Sequence, residues 1–293
     1  MQNERSELLS DCYKNIVNTL TINKIDSPEI EARLIIQLIT NLRNHDFILL
    51  KDKIVIDDII ANKIENIVQK RINSRNIQSL LGNWEFYGYR FIVNKDVLIP
   101  REETELLIKV AIDNLNDNAK EYKVLEVGVG SGIISIVLAK NIKNIKNIKI
   151  DGIDISKKAL YIAKKNVFLH KLENKIDLIN IDIFDFIPKK RYDLIISNPP
   201  YIKEAETISL IKDKKLQDPF IALSGGKDGL DFYKKLESLA KNFLEDDGKL
   251  IFEHGKGQRE SIKKIFQKSY DIKMYDDLNG IDRAFLVKKI NFI

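Results

Sequence analysis

The 293-residue sequence is poor in cysteine and histidine and has no long apolar run, and each shortage removes a class of function. A single cysteine, Cys12, excludes an internal disulfide and a cysteine-rich metal site. Three scattered histidines, His45, His170 and His254, argue against a histidine-built metal centre. Nothing approaches the ~18 consecutive apolar residues that a membrane span requires. The opening stretch "MQNERSELLSD" is charged and lacks the apolar core of a signal peptide. These absences predict a cytoplasmic protein that uses no metal and no membrane. The net charge of +5 is not concentrated either: residues 1–90 balance twelve basic against twelve acidic side chains, and the lysines beyond are scattered. A nucleic-acid reader gathers its charge on one face, so direct nucleic-acid binding is not expected. The run "KNIKNIKNIKI" (140–150) reads as compositional bias in a loop.

Hydrophobic residues make up 44% of the chain, enough for a sizeable core, and its length suits one large domain or two smaller ones. The first ~75 residues read as helices. Ser27-Pro28 is a helix start, followed at helical spacing by Ile30, Leu34, Ile35, Leu38 and Ile39. A second apolar stripe begins near Asp57 with Ile60, Ile64, Ile67, Val68 and Ile72. "GNWEFYGYRFIV" (82–93) is aromatic and glycine-bounded, a β-hairpin signature. The domain reading is therefore a helical domain over 1–80, a hairpin linker over 81–97 and a second domain over 98–293. That second domain opens with "LIPREETE" (98–105) and an apolar helix from Leu106 to about Leu115. From Lys123 strands alternate with helices: strands over 123–127, 148–153, 176–179, 192–197 and 249–253, helices over 133–139 and 157–170. That alternation predicts an α/β, Rossmann-like fold with a mostly parallel sheet covered on both faces. In such sheets ligands sit at the carboxyl ends of the strands.

The first strand end carries "LEVGVGSGI", with Glu126, Gly128, Gly130 and Gly132, where glycines permit a tight turn and close approach to a ligand. The second carries Asp154, a carboxylate placed to accept hydrogen bonds from both ribose hydroxyls and unsuited to a 2′-phosphate. Ser156 is better placed than Asp154 to cap the following helix. The third carries "NIDIFD", where Asp182 suits an adenine amino group and Ile183 the ring face. The fourth is "SNPPYI". Proline has a fixed φ and no N–H, and it pushes the preceding residue toward extended geometry. Asn198-Pro199-Pro200 is thus a stiff segment with free carbonyls, and Tyr201 adds an aromatic wall. The Asn198 side-chain oxygen and the Pro199 carbonyl make a pair of acceptors suited to a planar NH₂ group. Gripping both hydrogens favours a less delocalised lone pair and stabilises the positive charge that grows as nitrogen attacks an electrophile. The electrophile that fits the other three strand ends is the methyl sulfonium of S-adenosylmethionine.

"VLEVGVGSG", "IDIS", "NIDIF" and "ISNPPYI" resemble the motif series of class I S-adenosylmethionine-dependent methyltransferases acting on planar amines. With "EARLIIQLI" (31–39), "GNWEFYG" (82–88), "LIPREETE", "IALSGGKDGLDFY" (221–233), "FEHGKGQ" (252–258) and "DLNGIDR" (277–283), nearly the whole chain resembles the bacterial protein-(glutamine-N5) methyltransferases of the HemK/PrmC type. The resemblance implies a seven-stranded sheet, S-adenosylmethionine as cofactor with S-adenosylhomocysteine as product, and methylation of the glutamine in the Gly-Gly-Gln motif of class 1 peptide-chain release factors by a monomer. It also assigns residues. Glu126, Gly128, Val129, Gly130, Ser131, Gly132, Asp154, Ile155, Asp182 and Ile183 hold the cofactor, with Arg101 and Glu105 helping to close its methionine end. Asn198 touches cofactor and substrate, and Asn198, Pro199, Pro200 and Tyr201 bind the glutamine. The chain departs from the family pattern at Glu126 (usually Asp), Glu102 (usually Pro), Ile183 (often Trp), "SRNIQSLLG" (74–82), which lacks a Glu-Pro pair, and Asp218 (commonly Glu). Rival readings are a glutamine methyltransferase acting on a ribosomal protein, a nucleic-acid adenine N-methyltransferase, which would need a basic groove and base flipping, and a non-enzymatic adaptor.

Overall fold

The structure is a computed structural model describing residues 7–73, 76–115, 121–142, 147–213, 218–267, 269–277 and 279–290. Residues 143–146 of the lysine-asparagine-isoleucine run, Ser74 and Arg75, Gln217 and the Glu102 side chain lie outside this description. The chain divides into two compact units, Met1–Asn83 and Trp84–Ile293.

The first unit is built from helices α1 (Leu9–Ile22), α2 (Pro28–Thr40), α3 (Asn44–Leu50), α4 (Asp58–Ile72) and α5 (Ile77–Leu81). Two short strands, β1 (Glu7–Leu8) and β2 (Val55–Ile56), pair antiparallel, a bridge the sequence pattern does not announce. Pro28 starts α2 as expected, but Ser27 adopts left-handed backbone (φ 54°) and its hydroxyl makes no capping bond. Asp57 does cap α4, accepting from the Ile60 N–H at 2.8 Å. The buried face of α2 is Ala32, Ile35 and Ile36, while Ile30 and Leu38 are exposed. The stripe is turned from the expected one because α1 and α4 pack on the side that carries Glu31. That buried carboxylate is gripped by Arg71 of α4, Nε to Oε2 at 2.6 Å and Nη2 to Oε1 at 2.9 Å. A buried carboxylate without its cation would be strongly destabilising.

The division falls just inside a hairpin, β3 (Asn83–Phe86) and β4 (Tyr89–Ile92), which opens the second unit from Trp84 on. Its two-residue turn, Tyr87-Gly88, has both φ angles positive (52° and 73°), the geometry that matches strand twist. The seven-stranded sheet contains β5 (Tyr122–Val127), β6 (Ile148–Asp154), β7 (Ile176–Asn180), β8 (Tyr192–Ser197), β9 (Leu244–Glu253), β10 (Tyr270–Asp276) and β11 (Asp282–Lys289). Their order is β10-β11-β9-β8-β5-β6-β7. Every observed pair is parallel except those of β11, which runs antiparallel between β9 and β10. Strand alternation divides the core. Val124, Leu194, Ile196, Ile251 and Leu286 face α6 (Glu102–Asp113), α7 (Ile133–Asn141) and α8 (Lys157–Leu169). Leu125, Ile195, Leu250, Phe252 and Phe285 face α10 (Asp231–Phe243) and α11 (Arg259–Phe266). Helix α9 (Glu204–Lys212) packs on a 3₁₀ turn, Phe220–Ala222. Helix α6 starts four residues before the expected Leu106, inside "PREETE". Among the described residues no helix is long and apolar enough to cross a membrane.

Candidate active site

The chain leaves β5, lays β6 and β7 to one side, and returns with β8 on the other side of β5. The crevice at this reversal is where an open α/β sheet binds ligands. A cavity of about 390 Å³ lies there, lined among others by Gly128, Gly130, Asp154, Ile183, Asn198 and Pro200. A smaller space of about 60 Å³ shares Gly128, Gly130 and Asn198 with it and extends to Glu126, Ser131 and Thr104.

Gly128, Gly130 and Gly132 all have left-handed backbone, φ 72°, 54° and 82°. A Cβ at Gly128 would come no closer than 4.0 Å to its nearest neighbour, the Asn198 carbonyl oxygen, so conformation rather than crowding calls for glycine. Below the loop, Gly152 of β6 is bare because a Cβ there would lie 2.9 Å from Val129. Asn166 of α8 ties the loop to the hairpin: its Nδ2 donates to the carbonyls of Ser131 and Ile92 and its Oδ1 accepts from the Ile92 N–H. Asp154 closes the arrangement, accepting from the Gly130 N–H at 2.9 Å and the Ser156 N–H at 2.8 Å. Burial raises the Asp154 pKa, opposed by those two N–H groups. Ser156 caps α8 through the Ala159 N–H at 3.2 Å, as the sequence suggests. Asp182 accepts from the Phe184 N–H at 2.9 Å with Oδ1. Ile155 and Phe184 line the large cavity yet remain about half exposed, 55% and 49%.

Glu126 is buried and reaches the first turn of α7, where its Oε2 accepts from the Ser135 N–H at 2.9 Å and from the Ser135 hydroxyl. That contact accommodates the longer side chain. Burial pushes its pKa up to about 8.

Asn198 follows β8 at the meeting of both cavities. Its Nδ2 donates to Thr104 Oγ1 at 3.2 Å, and the Thr104 hydroxyl donates to Glu253 Oε2 at 3.3 Å. Among the described residues none donates to Asn198 Oδ1 or to the Pro199 carbonyl. Glu253, on β9, is buried, and burial with the nearby Glu103 carboxylate pushes its pKa up to about 7. Tyr201 lies on the other side of the segment, its ring against Gly255, where a Cβ would fall 2.7 Å from Cδ2. Gln258 holds its backbone, Nε2 donating to the carbonyls of Tyr201 and Gly229 while Oε1 accepts from the Gly255 N–H.

The structure gathers Gly128, Gly130, Asp154, Ile155, Asp182, Ile183, Asn198 and Pro200 around the large cavity, and Glu126, Val129 and Ser131 around the small one. Gly132 caps α7 beside them. Pro199, Tyr201 and Arg101 line neither. The Arg101 guanidinium donates to the buried Asp218 at 2.6 Å, and Asp218 also accepts from the Ile99 N–H, so Arg101 fastens the entry to α6. Sequence reasoning missed Thr104, Glu253, Gln258 and Phe184. The first three stand inside "LIPREETE" and "FEHGKGQ", whose membership in the motif set was their only signal.

A mostly parallel seven-stranded sheet with one antiparallel strand, a glycine loop at β5 and an acid at the end of β6 define a Rossmann-like class I methyltransferase domain, which uses S-adenosylmethionine. The methyltransferase small domain family model matches residues 102–226. A release factor glutamine methyltransferase from Clostridium botulinum is 33% identical over 96% of this chain and 99% of its own length. One from Fusobacterium nucleatum is 39% identical over 78% of this chain and 64% of its own. A methyltransferase structure from Pyrococcus furiosus superposes with a TM-score of 0.51 at 18% identity, covering 77% of this chain and all of that one, a likeness of fold. The chain belongs to the release factor glutamine methyltransferase family. It spans less than two thirds of the Fusobacterium relative's length and 52–59% of the bifunctional methyltransferases of Rickettsia.

The residues present fit S-adenosylmethionine. The cavity volume lies in the range of small-ligand sites. Asp154, pinned by two backbone N–H groups, keeps acceptor capacity for a ribose. Ile155, Ile183 and Phe184 offer apolar surface for a base. Among the described residues no group of three or more His, Cys, Asp or Glu is placed to hold a metal ion.

Proposed function

We propose that the chain transfers a methyl group from S-adenosylmethionine to the side-chain amide nitrogen of a glutamine, that of the Gly-Gly-Gln motif in class 1 release factors, leaving S-adenosylhomocysteine. The observation that carries this reading is Asn198: it lines the strand-end crevice with one end of its amide tied to Thr104, and no described residue donates to its Oδ1. Family membership supports the same substrate.

In this reading Gly128 to Gly132 bring bare backbone against the cofactor, with Glu126 below them. Asp154 accepts from the ribose, and Ile155, Asp182 and Ile183 flank the adenine. Bound there, S-adenosylmethionine supplies an electrophilic methyl on a positively charged sulfur. Asn198 Oδ1 and the Pro199 carbonyl accept the two amide hydrogens, turn the nitrogen lone pair out of conjugation and stabilise the charge that grows on nitrogen. Pro199 and Pro200 keep those acceptors from reorganising. No general base is required, because the charged product amide is acidic enough to give its proton to water. Tyr201 and Pro200 bound the glutamine, and two glycines before it allow close approach of a slim peptide. The N-terminal helical domain grips the rest of the release factor, and the chain works as a cytoplasmic monomer without direct nucleic-acid contact.

The test is transfer of labelled methyl to purified release factors, followed by peptide mapping. Label is expected on the glutamine of Gly-Gly-Gln and absent when that glutamine is alanine. Label that persists on the alanine variant, or appears efficiently on ribosomal protein or duplex DNA instead, overturns the assignment.

A further inference from the structure

Thr104 and Glu253 come from distant parts of the chain, the first turn of α6 and the end of β9, and both are buried. They meet at 3.3 Å, and Thr104 meets Asn198 Nδ2 at 3.2 Å. A threonine hydroxyl has one proton and two lone pairs. Facing an ionised carboxylate, which can only accept, the hydroxyl must spend its proton there. Its lone pairs are then all it can offer Asn198, and only the NH₂ end of an amide can use them. Asn198 Oδ1 is thereby turned to the opposite side.

We propose that Thr104 and Glu253 are positioning residues that set which end of the Asn198 amide faces the substrate. This inference rests on the reading of Asn198 given above. A neutral Glu253 reverses the logic. Its own O–H donates to Thr104, the threonine proton is released toward Asn198, and the amide is drawn to present Oδ1 to Thr104 and NH₂ to the substrate. The groups facing Glu253 are Glu103 and Arg101 at the start of α6, Arg283 of β11, Tyr201 after β8 and Tyr233 of α10. Arg283 is itself engaged by Glu103 at 3.2 Å and Asp277 at 3.4 Å. With burial raising the Glu253 pKa to about 7, the exchange falls in the working pH range.

Two measurements on the full chain test it. In ¹⁵N-labelled cofactor-free protein, the Asn198 side-chain NH₂ signals, assigned by their loss in Asn198→Asp, should titrate near pH 7 in the wild type and stay fixed in Glu253→Gln. This readout needs no substrate. With release factor as acceptor, Thr104→Val should lower kcat roughly 10- to 100-fold, part of what an oriented partner contributes, with S-adenosylhomocysteine affinity changed less than about threefold. Thr104→Ser should restore most of the rate. Wild-type kcat should fall from pH 8 to pH 6, and Glu253→Gln should be slow throughout without that acid limb. Asn198 signals that ignore pH in the wild type, a Thr104→Val rate within twofold of normal, or an acid limb that survives in Glu253→Gln each overturn the inference. A wild type that shows the titration but methylates no release factor refutes the substrate assignment and leaves the positioning role standing.

Discussion

Asn198 shows how much a single amide gains from having two unlike ends. An alanine there removes the acceptor while the loop backbone remains, so Asn198→Ala should lower turnover by roughly 10²–10³, with cofactor affinity changed much less. Asn198→Asp should be no better. It lacks the NH₂ that Thr104 receives, and the proposed mechanism gives a carboxylate base nothing to do. Steady-state kinetics alongside calorimetry checks both, and near-normal turnover in either variant would sink the mechanism. Asp154→Ala should weaken S-adenosylmethionine binding by about 1–3 kcal/mol, the scale of a lost hydrogen-bond pair to a charged group. Part of that loss is indirect, since Asp154 also holds the Gly130 N–H. Tight calorimetric binding of NAD with none of S-adenosylmethionine would contradict the cofactor reading. At this scale the sequence exposed residues whose chemistry stands at a strand end, such as Gly128, Asp154 and Asn198. It hid those that act through another side chain. Nothing in the letters of "PREETE" or "FEHG" says that Thr104 and Glu253 touch, because their contact is made by the packing of α6 over β9.

Between elements, the segment after β8 is held by bare backbone. Ile202 and Leu223–Gly225 exchange hydrogen bonds in a short parallel bridge, Ile202 N–H to Leu223 at 2.9 Å and Gly225 N–H to Ile202 at 2.8 Å. A Cβ on Gly225 would lie 2.7 Å from the Pro200 carbonyl oxygen and 2.8 Å from Tyr201 Cα. Both are main-chain atoms that cannot swing aside, so Gly225→Ala must displace the Pro200-Tyr201 peptide. A misplacement of about 1 Å at the segment proposed to hold the substrate costs up to about 10²-fold. Gly225→Ala should therefore reduce kcat 10- to 100-fold, with the thermal transition within a few degrees of wild type. A fully active variant would show that the segment tolerates movement. The strands under this loop were readable because Val124-Leu125 of β5, Ile148, Ile150 and Ile153 of β6 and Leu194–Ile196 of β8 each lead into a Gly, Asp or Asn-Pro turn signal. Strands β10 and β11 were not, since "YDIKMYD" and "DRAFLVKK" mix charge with apolar residues at the side of the sheet. The start of α6 was missed although an acidic first turn favours a helix N-terminus, because the apolar spacing begins only at Leu106.

For the molecule as a whole, two buried acids bend the dependence of stability on pH. Glu126 and Glu253 ionise near 8 and 7 in the fold, against an ordinary 4.5. Between those values the folded chain holds protons that the unfolded chain has released, so raising the pH favours unfolding. The contribution is complete below the ordinary carboxylate range and lost as pH rises through 7 to 8. The melting temperature should fall between pH 5 and pH 9, and Glu126→Gln should flatten the upper part of that fall. A curve that is level or rising over this window in the wild type would show that the acids are compensated in the fold. The sequence places the boundary at the aromatic, glycine-bounded run 82–93, and the compact units part after Asn83. The turned face of α2 was not legible, because it is set by the packing of α1 and α4 on the side of Glu31 and not by the spacing of its own apolar residues. The strand order has one consequence for how the protein is made. Strand β11 lies between β9 and β10 yet is translated after both. While the ribosome is still adding residues up to about 281, β9 presents an open edge and β10 has no neighbour to join, the state in which a sheet recruits strands from other chains. Completion of the sheet is thus deferred to the synthesis of residues 282–289, and a nascent chain stalled before them keeps that edge open, although every residue lining its two cavities has already been made.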